Sequence, residues 1–133
     1  MPKPRWLDSE ISTSSLAGTP VYGAELSRVS FFGCKLVSVN FREARLRDVT
    51  FTDCVLDDVD FTGATLNGVS FPGSALKDVR LDCTTMKRVD LRKARDLSLQ
   101  ANRDSLAGLT MSPLQLLDMA PFFAHALGVT IAD

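Results

Sequence analysis

Large apolar residues recur at every fifth position through most of this chain. A spacing of five scatters side chains around an α-helix and alternates them between the two faces of a flat strand. The series consists of Leu26, Phe31, Leu36, Phe41, Leu46, Phe51, Leu56, Phe61, Leu66, Phe71, Leu76, Leu81, Met86 and Leu91, and it extends back through Val21, Leu16 and Ile11. Neither a helix nor a flat sheet can therefore bury the series on one side.

A second series, of small or β-branched residues, lies two positions before each large residue. Its members are Ser9, Ser14, Thr19, Ala24, Val29, Cys34, Val39, Ala44, Val49, Cys54, Val59, Ala64, Val69, Ser74, Val79, Thr84, Val89 and Ala94. Side chains two residues apart in an extended segment point to the same face. Glycine or aspartate often lies two positions after the large residue, where both types suit a tight turn. The sequence predicts a coil with flat sides, over residues 9–95, that turns a corner every five residues.

The number of sides follows from a second period, because the units alternate between Val-x-Phe and Ala/Cys-x-Leu. An even number of sides places Phe31, Phe51 and Phe71 in one column. Residues one turn apart are surface neighbours, and opposite charges match well between units four apart and only in part between units three apart. The matches between units four apart are Arg5/Glu25, Glu25/Arg45, Asp8/Arg28, Arg28/Asp48, Asp57/Lys77 and Asp60/Arg80. We therefore predict four sides per turn, each formed by one five-residue unit.

The repeated units resemble the pentapeptide-repeat family, whose consensus is Ala-Asp/Asn-Leu-x-x. The resemblance implies an all-β solenoid, a right-handed quadrilateral β-helix of about four coils with a C-terminal α-helical cap. It covers residues 9–95, approximately. Valine in the small position of every second unit departs from the consensus and is expected to widen or strain alternate sides.

The two ends of the coil need caps, because stacked strands leave open edges there. Residues 1–8, with Trp6 and Leu7, are the candidate N-terminal cap. The five-residue phase is lost after Ala94, so residues 96–111 are expected to form an irregular final coil. Residues 112–133 are expected to form the C-terminal helix.

The start and end of that helix are marked in the sequence. Ser112 is the candidate N-cap, with Gln115 three residues later and Pro113 at the first helical position. Gly128 lies just past the expected end. Pro121 lies inside the helix and is expected to kink it or split it in two.

The C-terminal helix has more apolar surface than one cap needs, and an exposed apolar face indicates an interaction site. The resemblance implies a homodimer, since the family dimerises through C-terminal helices. In the alternative, the kink at Pro121 lets both sides of the helix pack on the last coil. The candidate interface residues are Leu114, Leu117, Met119, Phe122, Phe123 and Leu127.

Residues that carry chemistry are few. The single histidine, His125, has only Asp118 near it on the helix, so we expect no catalysis, no cofactor and no metal site. Cys34 and Cys54 occupy the same inward position one turn apart, within reach of a disulfide, but a packed interior favours inert thiols. Cys83 lies at a turn position and is expected to be accessible.

Charge and cysteine usage set further bounds. The 15 basic and 16 acidic residues give a net charge of −1. This balance indicates neither direct nucleic-acid binding nor membrane binding. Three cysteines, with no leader-like start, favour a reduced, cytoplasmic protein.

Two functions are compatible with these features. The first is a non-catalytic scaffold that binds an unknown macromolecular partner through a flat side or the C-terminal helix. The second, suggested by the quinolone-resistance members of the family, is a DNA mimic that modulates DNA gyrase. Residues 22–95 hold 12 basic and 10 acidic residues, which disfavours the mimic because it needs a continuous negative surface. A candidate docking surface comprises Lys87, Arg88, Arg92, Lys93 and Arg95.

Overall fold

The computed structural model describes residues 4–18 and 21–133. The predicted small residue Thr19 and the first three residues of the predicted N-terminal cap lie outside these ranges. The strands are β1 (Arg5–Leu7), β2 (Glu10–Ser12), β3 (Ser15–Ala17), β4 (Glu25–Ser27), β5 (Ser30–Phe32), β6 (Lys35–Val37), β7 (Arg45–Thr52), β8 (Val55–Asp57), β9 (Thr65–Ser70), β10 (Ala75–Arg80), β11 (Thr85–Asp90), β12 (Asp96–Gln100) and β13 (Leu109–Thr110). The helices are a 3-10 turn (Arg103–Ser105), α1 (Pro113–Asp118) and α2 (Ala120–Leu127).

The strands stack in parallel, and over most of the chain each residue pairs with its equivalent four units further on, as Leu26 does with Leu46 and Leu46 with Leu66. This register confirms the predicted turn length. Within residues 4–18 and 21–133 the strands form one sheet of eight and one of five. Four inward columns define four sides, which we number in chain order. The first column is Trp6, Leu26, Leu46, Leu66 and Met86; the second is Ile11, Phe31, Phe51 and Phe71; the third is Leu16, Leu36, Leu56, Leu76 and Leu97; the fourth is Phe41, Phe61 and Leu81.

The phenylalanine columns fill the interior as predicted. Phe31 and Phe51 stack with ring centroids 4.7 Å apart, and Phe51 and Phe71 with centroids 5.2 Å apart. On the fourth side Phe41 and Phe61 stack at 5.1 Å. Successive turns therefore stack phenylalanine on phenylalanine, in a core that is buried from solvent.

The corners adopt left-handed backbone conformations where the sequence places aspartate, glycine and a few other residues. Asp48, Asp53, Asp58 and Asp78 have φ angles of 54°, 52°, 57° and 52°. Short polar side chains tolerate this region better than most. The predicted turn positions are confirmed.

The solenoid has about five turns, approximately one more than the coil count expected from the repeat. After Ala94 the register between turns shifts by one residue and then returns. Ala75 pairs with Asp96, whereas Val79 pairs with Leu99 in the usual register. β13 then pairs with β11. The five-residue phase disappears from the sequence here because one longer and one shorter unit follow each other, while the parallel stacking continues.

Two short helices close the C-terminal end. The Ser112 hydroxyl accepts a hydrogen bond from the Gln115 backbone N–H at 3.1 Å, and the Gln115 side chain accepts from the Ser112 N–H at 2.9 Å. Gln115 Nε2 also donates to the Leu91 carbonyl at 2.5 Å, which ties α1 to the solenoid. α1 and α2 separate just before Pro121, so the predicted split is confirmed, and Gly128 caps α2 in the left-handed conformation.

At the other end, Trp6 is half-buried and lies over the core. Its ring centroid is 6.1 Å from that of Phe31, at an angle of 44°. Leu7 points away and is exposed. Of the two predicted N-terminal capping residues, only Trp6 packs on the core.

Candidate protein-binding surfaces

The C-terminal helices expose a set of large apolar side chains. Leu114 and Leu117 of α1 are 67% and 71% exposed, and Leu127 of α2 is 55% exposed. Three of the six predicted interface residues therefore lie at the surface. We call these three residues the apolar helix face.

The other three predicted interface residues pack inward. Met119 lies at the junction of α1 and α2 and is only 7% exposed, within the core of its own chain. Phe122 and Phe123 are half-buried, pack against that core and form an edge-to-face pair with centroids 5.2 Å apart. Met119 is thus unavailable to a partner, because the split before Pro121 turns it toward the last turn.

An apolar groove beside α1 was not predicted from the sequence. It has a volume of about 410 Å³ and opens between the last turn and the helices. Its residues come from three segments, so only the folded chain brings them together. The lining residues are Leu106, Leu109, Met111, Ser112, Pro113, Leu116 and Phe123.

The five residues of the candidate docking surface do not share one side. Lys87 and Arg88 lie at the end of the first side, Arg92 and Lys93 follow the second side, and Arg95 lies beyond the next corner. Arg92 pairs with Asp90 through Nη2 at 2.9 Å, which lowers the pKa of Asp90 and raises that of Arg92. Arg95 Nε donates to the Gly73 carbonyl at 2.7 Å. These residues form a belt around the solenoid.

The outer surface of the first side carries basic residues in register. Arg45, Thr65 and Thr85 form one row, and Arg47, Asn67 and Lys87 form the next. Arg88, at the adjoining corner, donates from Nη2 to Asn67 Oδ1 at 2.7 Å. A shallow depression of about 260 Å³ lies around the two arginines, lined by Glu25, Ser27, Arg45, Leu46, Arg47, Thr65 and Asn67.

Ion pairs form between some of the predicted partners. Arg5 Nη2 lies 3.1 Å from Glu25 Oε2, and Arg28 pairs with Asp8. The second contact lowers the pKa of Asp8 and raises that of Arg28. Both of these pairs join the first turn of the solenoid to the second. The predicted pairs Glu25/Arg45, Arg28/Asp48, Asp57/Lys77 and Asp60/Arg80 are not within 4.0 Å in the part of the chain that the structure describes.

Carboxylates line the corner after the third side. Asp58 accepts a hydrogen bond from the Ser38 hydroxyl at 2.9 Å, and Asp78 accepts one from Ser98 at 3.3 Å. Lys77 is the residue before Asp78. The acidic strip is therefore short and has a cation beside it.

The cysteines occupy the predicted environments. Cys34 and Cys54 are buried free thiols, and Cys83 is an exposed one. Burial raises the pKa of the Cys54 thiol to about 11. His125 is exposed on α2. In residues 4–18 and 21–133, no helix is both long and apolar enough to cross a membrane.

These features define a class of protein: a β-solenoid of five-residue units with a closed apolar core and four flat polar sides. The family model for the pentapeptide repeat region matches residues 5–81. The chain therefore belongs to the pentapeptide-repeat family. No curated protein sequence is significantly similar to the chain.

Solved structures share the fold. HetL, a pentapeptide repeat protein involved in heterocyst differentiation regulation from the cyanobacterium Nostoc sp. strain PCC 7120, is 23% identical with a TM-score of 0.52, over 68% of this chain and 36% of HetL. The chain thus spans about a third of HetL, and the likeness shows the fold alone.

Two further structures are more distant. Rfr23 from the cyanobacterium Cyanothece 51142 is 14% identical with a TM-score of 0.37, over 81% of this chain and 91% of Rfr23. QnrB1, a plasmid-mediated fluoroquinolone resistance protein, is 14% identical with a TM-score of 0.29, over 96% of this chain and 98% of QnrB1. Neither likeness is strong enough to argue function.

Proposed function

We propose that the chain is a non-catalytic, cytoplasmic scaffold that forms a homodimer through its C-terminal helices and binds a macromolecular partner on a side of the β-helix. The apolar helix face is the observation that carries this proposal. Leu114, Leu117 and Leu127 are all more than half exposed. Large exposed apolar patches mark protein–protein interfaces in soluble proteins.

The apolar groove supports the same proposal. It continues the apolar surface of α1 onto the last turn, since Pro113 and Leu116 line it. A second copy that places its own α1 there would cover both surfaces at once. Two-fold dimers use the same patch on both subunits. This requirement is met if α1 of each copy lies in the apolar groove of the other.

Light scattering coupled to size exclusion tests the dimer. A dimer of this 14.5 kDa chain has twice that mass. We expect Leu114→Asp/Leu117→Asp to give the monomer mass, because a carboxylate in an apolar interface is costly to desolvate. The matched control, Leu7→Asp/Phe32→Asp, changes exposed apolar residues far from the helices and should remain dimeric. A monomeric wild type, or a dimeric helix variant, contradicts the proposal.

Gyrase modulation by DNA mimicry is the second candidate. The acidic strip at Asp58 and Asp78 is the feature that favours it. Duplex DNA carries one negative charge per about 1.7 Å, whereas this strip is short and has Lys77 and Arg80 close to Asp78 in the chain. We therefore rank mimicry below the general scaffold.

A supercoiling and DNA-cleavage assay with purified gyrase separates the two candidates. The scaffold proposal predicts neither inhibition nor protection from a quinolone at micromolar protein. Inhibition that is lost in Asp58→Asn/Asp78→Asn would favour mimicry instead.

A further inference from the structure

We propose that the outer surface of the first side binds an acidic, extended segment of a partner protein. We call this surface the arginine face and define it as Arg45, Arg47, Thr65, Asn67, Lys87 and Arg88. The inference deepens the proposed scaffold function by naming a docking surface and the chemistry of its partner. It does not depend on dimerisation.

The arginine face carries cations on the first and third of three successive turns. Strand register places Arg45 and Arg47 on one turn, Thr65 and Asn67 on the next, and Lys87 on the third. The middle turn offers neutral hydrogen-bonding groups between two charged turns. With a turn spacing of about 4.8 Å, the charged turns lie about 10 Å apart.

The two arginines retain most of their charge for a partner. Glu25, the predicted partner of Arg45, is held by Arg5 at 3.1 Å. Within the described residues no carboxylate lies within 4.0 Å of Arg45, and Arg47 has only Asp48, at 3.9 Å. The pairing of Glu25 with Arg5 therefore leaves Arg45 without a direct ion pair, and only Asp48 partly neutralises Arg47.

Lys87 and Arg88 extend the same surface. No carboxylate of the described chain lies within 4.0 Å of either one, and Arg88 is hydrogen-bonded to the neutral amide of Asn67. Asp48 is the one acidic residue at the adjoining corner over these turns. Four cations thus face solvent on this surface, and the neighbouring carboxylates are Asp48, Glu43 and Glu25, of which Glu25 is paired with Arg5.

The spacing of the arginines fits an extended acidic chain. Arg45 and Arg47 lie two residues apart on one strand, which separates outward side chains by about 6.6–6.8 Å. Carboxylates on alternate residues of an extended peptide repeat at the same distance. Each guanidinium can bind one carboxylate through two parallel hydrogen bonds.

A nucleic acid fits this surface less well. The arginine face covers only three turns and has no aromatic side chain on which a base could stack. The net charge of the chain is −1, so a long polyanion that extended past the face would meet Asp8, Asp48 and Glu43. A short acidic segment meets fewer of these carboxylates, of which Asp48 lies 3.9 Å from Arg47.

Fluorescence polarisation tests the proposal with a fluorescein-labelled peptide of alternating glutamate and serine. We expect saturable binding that weakens with added salt. Arg45→Gln/Arg47→Gln should weaken binding about tenfold, because two charge-assisted contacts are lost. The matched control is Lys35→Gln/Lys77→Gln, which removes the same charge from the third side and should change the affinity less than about twofold.

Three results would overturn the proposal. These are no saturable binding of the acidic peptide, an equal loss in both variants, and tighter binding of a duplex DNA oligonucleotide of matched charge. Circular dichroism of each variant verifies the fold, and a peptide of alternating glutamine and serine measures binding that does not depend on charge. Masses from light scattering on the same samples show separately whether the dimer proposal holds.

Discussion

The rings of Phe31 and Phe51, which occupy the same position on successive turns, stack with centroids 4.7 Å apart and an interplanar angle of 8°. Phe51 is also stacked on Phe71, so its ring is covered on both faces. Phe51→Ala should lower the free energy of unfolding by about 3–5 kcal/mol, because it leaves a cavity in a closed column. The exposed Phe32, with the same side chain, is the control, and Phe32→Ala should cost less than about 0.5 kcal/mol. Urea unfolding of both variants checks the difference.

Gly108 lies against the turn below it. A Cβ at this position would lie 2.1 Å from the Met86 carbonyl oxygen, whereas a Cβ at Gly33 would contact nothing within 4 Å. Both glycines have positive φ angles, of 97° and 61°. Gly108→Ala should cost about 3 kcal/mol or more, since the backbone must shift. Gly33→Ala should cost only the conformational penalty of about 1–2 kcal/mol. Equal melting temperatures for the two variants would contradict the packing of the last turn.

Ser74 forms a buried link between two turns. Its hydroxyl donates to the Phe51 carbonyl at 2.7 Å and accepts from the Cys54 N–H at 2.9 Å. Ser74→Ala leaves both buried groups without that partner, which should cost about 1–3 kcal/mol. Ser14 occupies the same repeat position near the N-terminal end, where its bond to Ser12 is exposed. Ser14→Ala should therefore be nearly neutral, and thermal unfolding of the two variants compares them.

The buried thiol of Cys54 is expected to lower the stability of the fold as the pH becomes alkaline. Its pKa is raised from 9.0 to about 11 in the folded chain because burial disfavours the thiolate. The neutral thiol thus stabilises the fold fully below about pH 9, and this contribution is lost as the pH rises from 9 toward 11. From pH 8 to about pH 10.5 the wild type should lose roughly 1–2 kcal/mol more than Cys54→Ala.

Chemical denaturation at the two pH values measures this difference. The variant controls for tyrosine and lysine titration, which both proteins share. Alanine is compatible with the position, since Ala24, Ala44 and Ala64 occupy its equivalents in other units. Parallel pH profiles for wild type and variant would show that Cys54 is not the cause.

Much of the fold could be predicted because each repeat unit has the same pattern of a small residue, a large apolar residue and a turn residue. The spacing of Phe31, Phe51 and Phe71 predicted the turn length, and the capping residues Ser112 and Gln115 predicted the start of α1. These are short-range patterns whose physical reason is visible in the sequence. The candidate binding surfaces could be predicted only in part.

The features that the sequence did not predict depend on contacts that no local pattern encodes. Met119 reads as part of an apolar helix face, yet the chain turns it inward when the helix splits. Glu25 could have paired with Arg5 or with Arg45, and only side-chain geometry selects Arg5. The basic residues of the belt lie within nine positions of the sequence (87–95) but spread over three sides, because the chain turns every five residues. The apolar groove is assembled from segments whose register was hidden by the irregular last turn.

All of the proposed surfaces depend on one turn of the chain taking four of the five-residue units. Spin labels at Thr65 and Thr85, which point outward on neighbouring turns of the first side, test this most directly in a Cys83→Ser background that removes the exposed thiol. We expect strong dipolar broadening for this pair and much weaker broadening for labels at Thr65 and Arg80, which lie on different sides. Stronger broadening for Thr65 and Arg80 would indicate a turn of three units and contradict the four-sided solenoid.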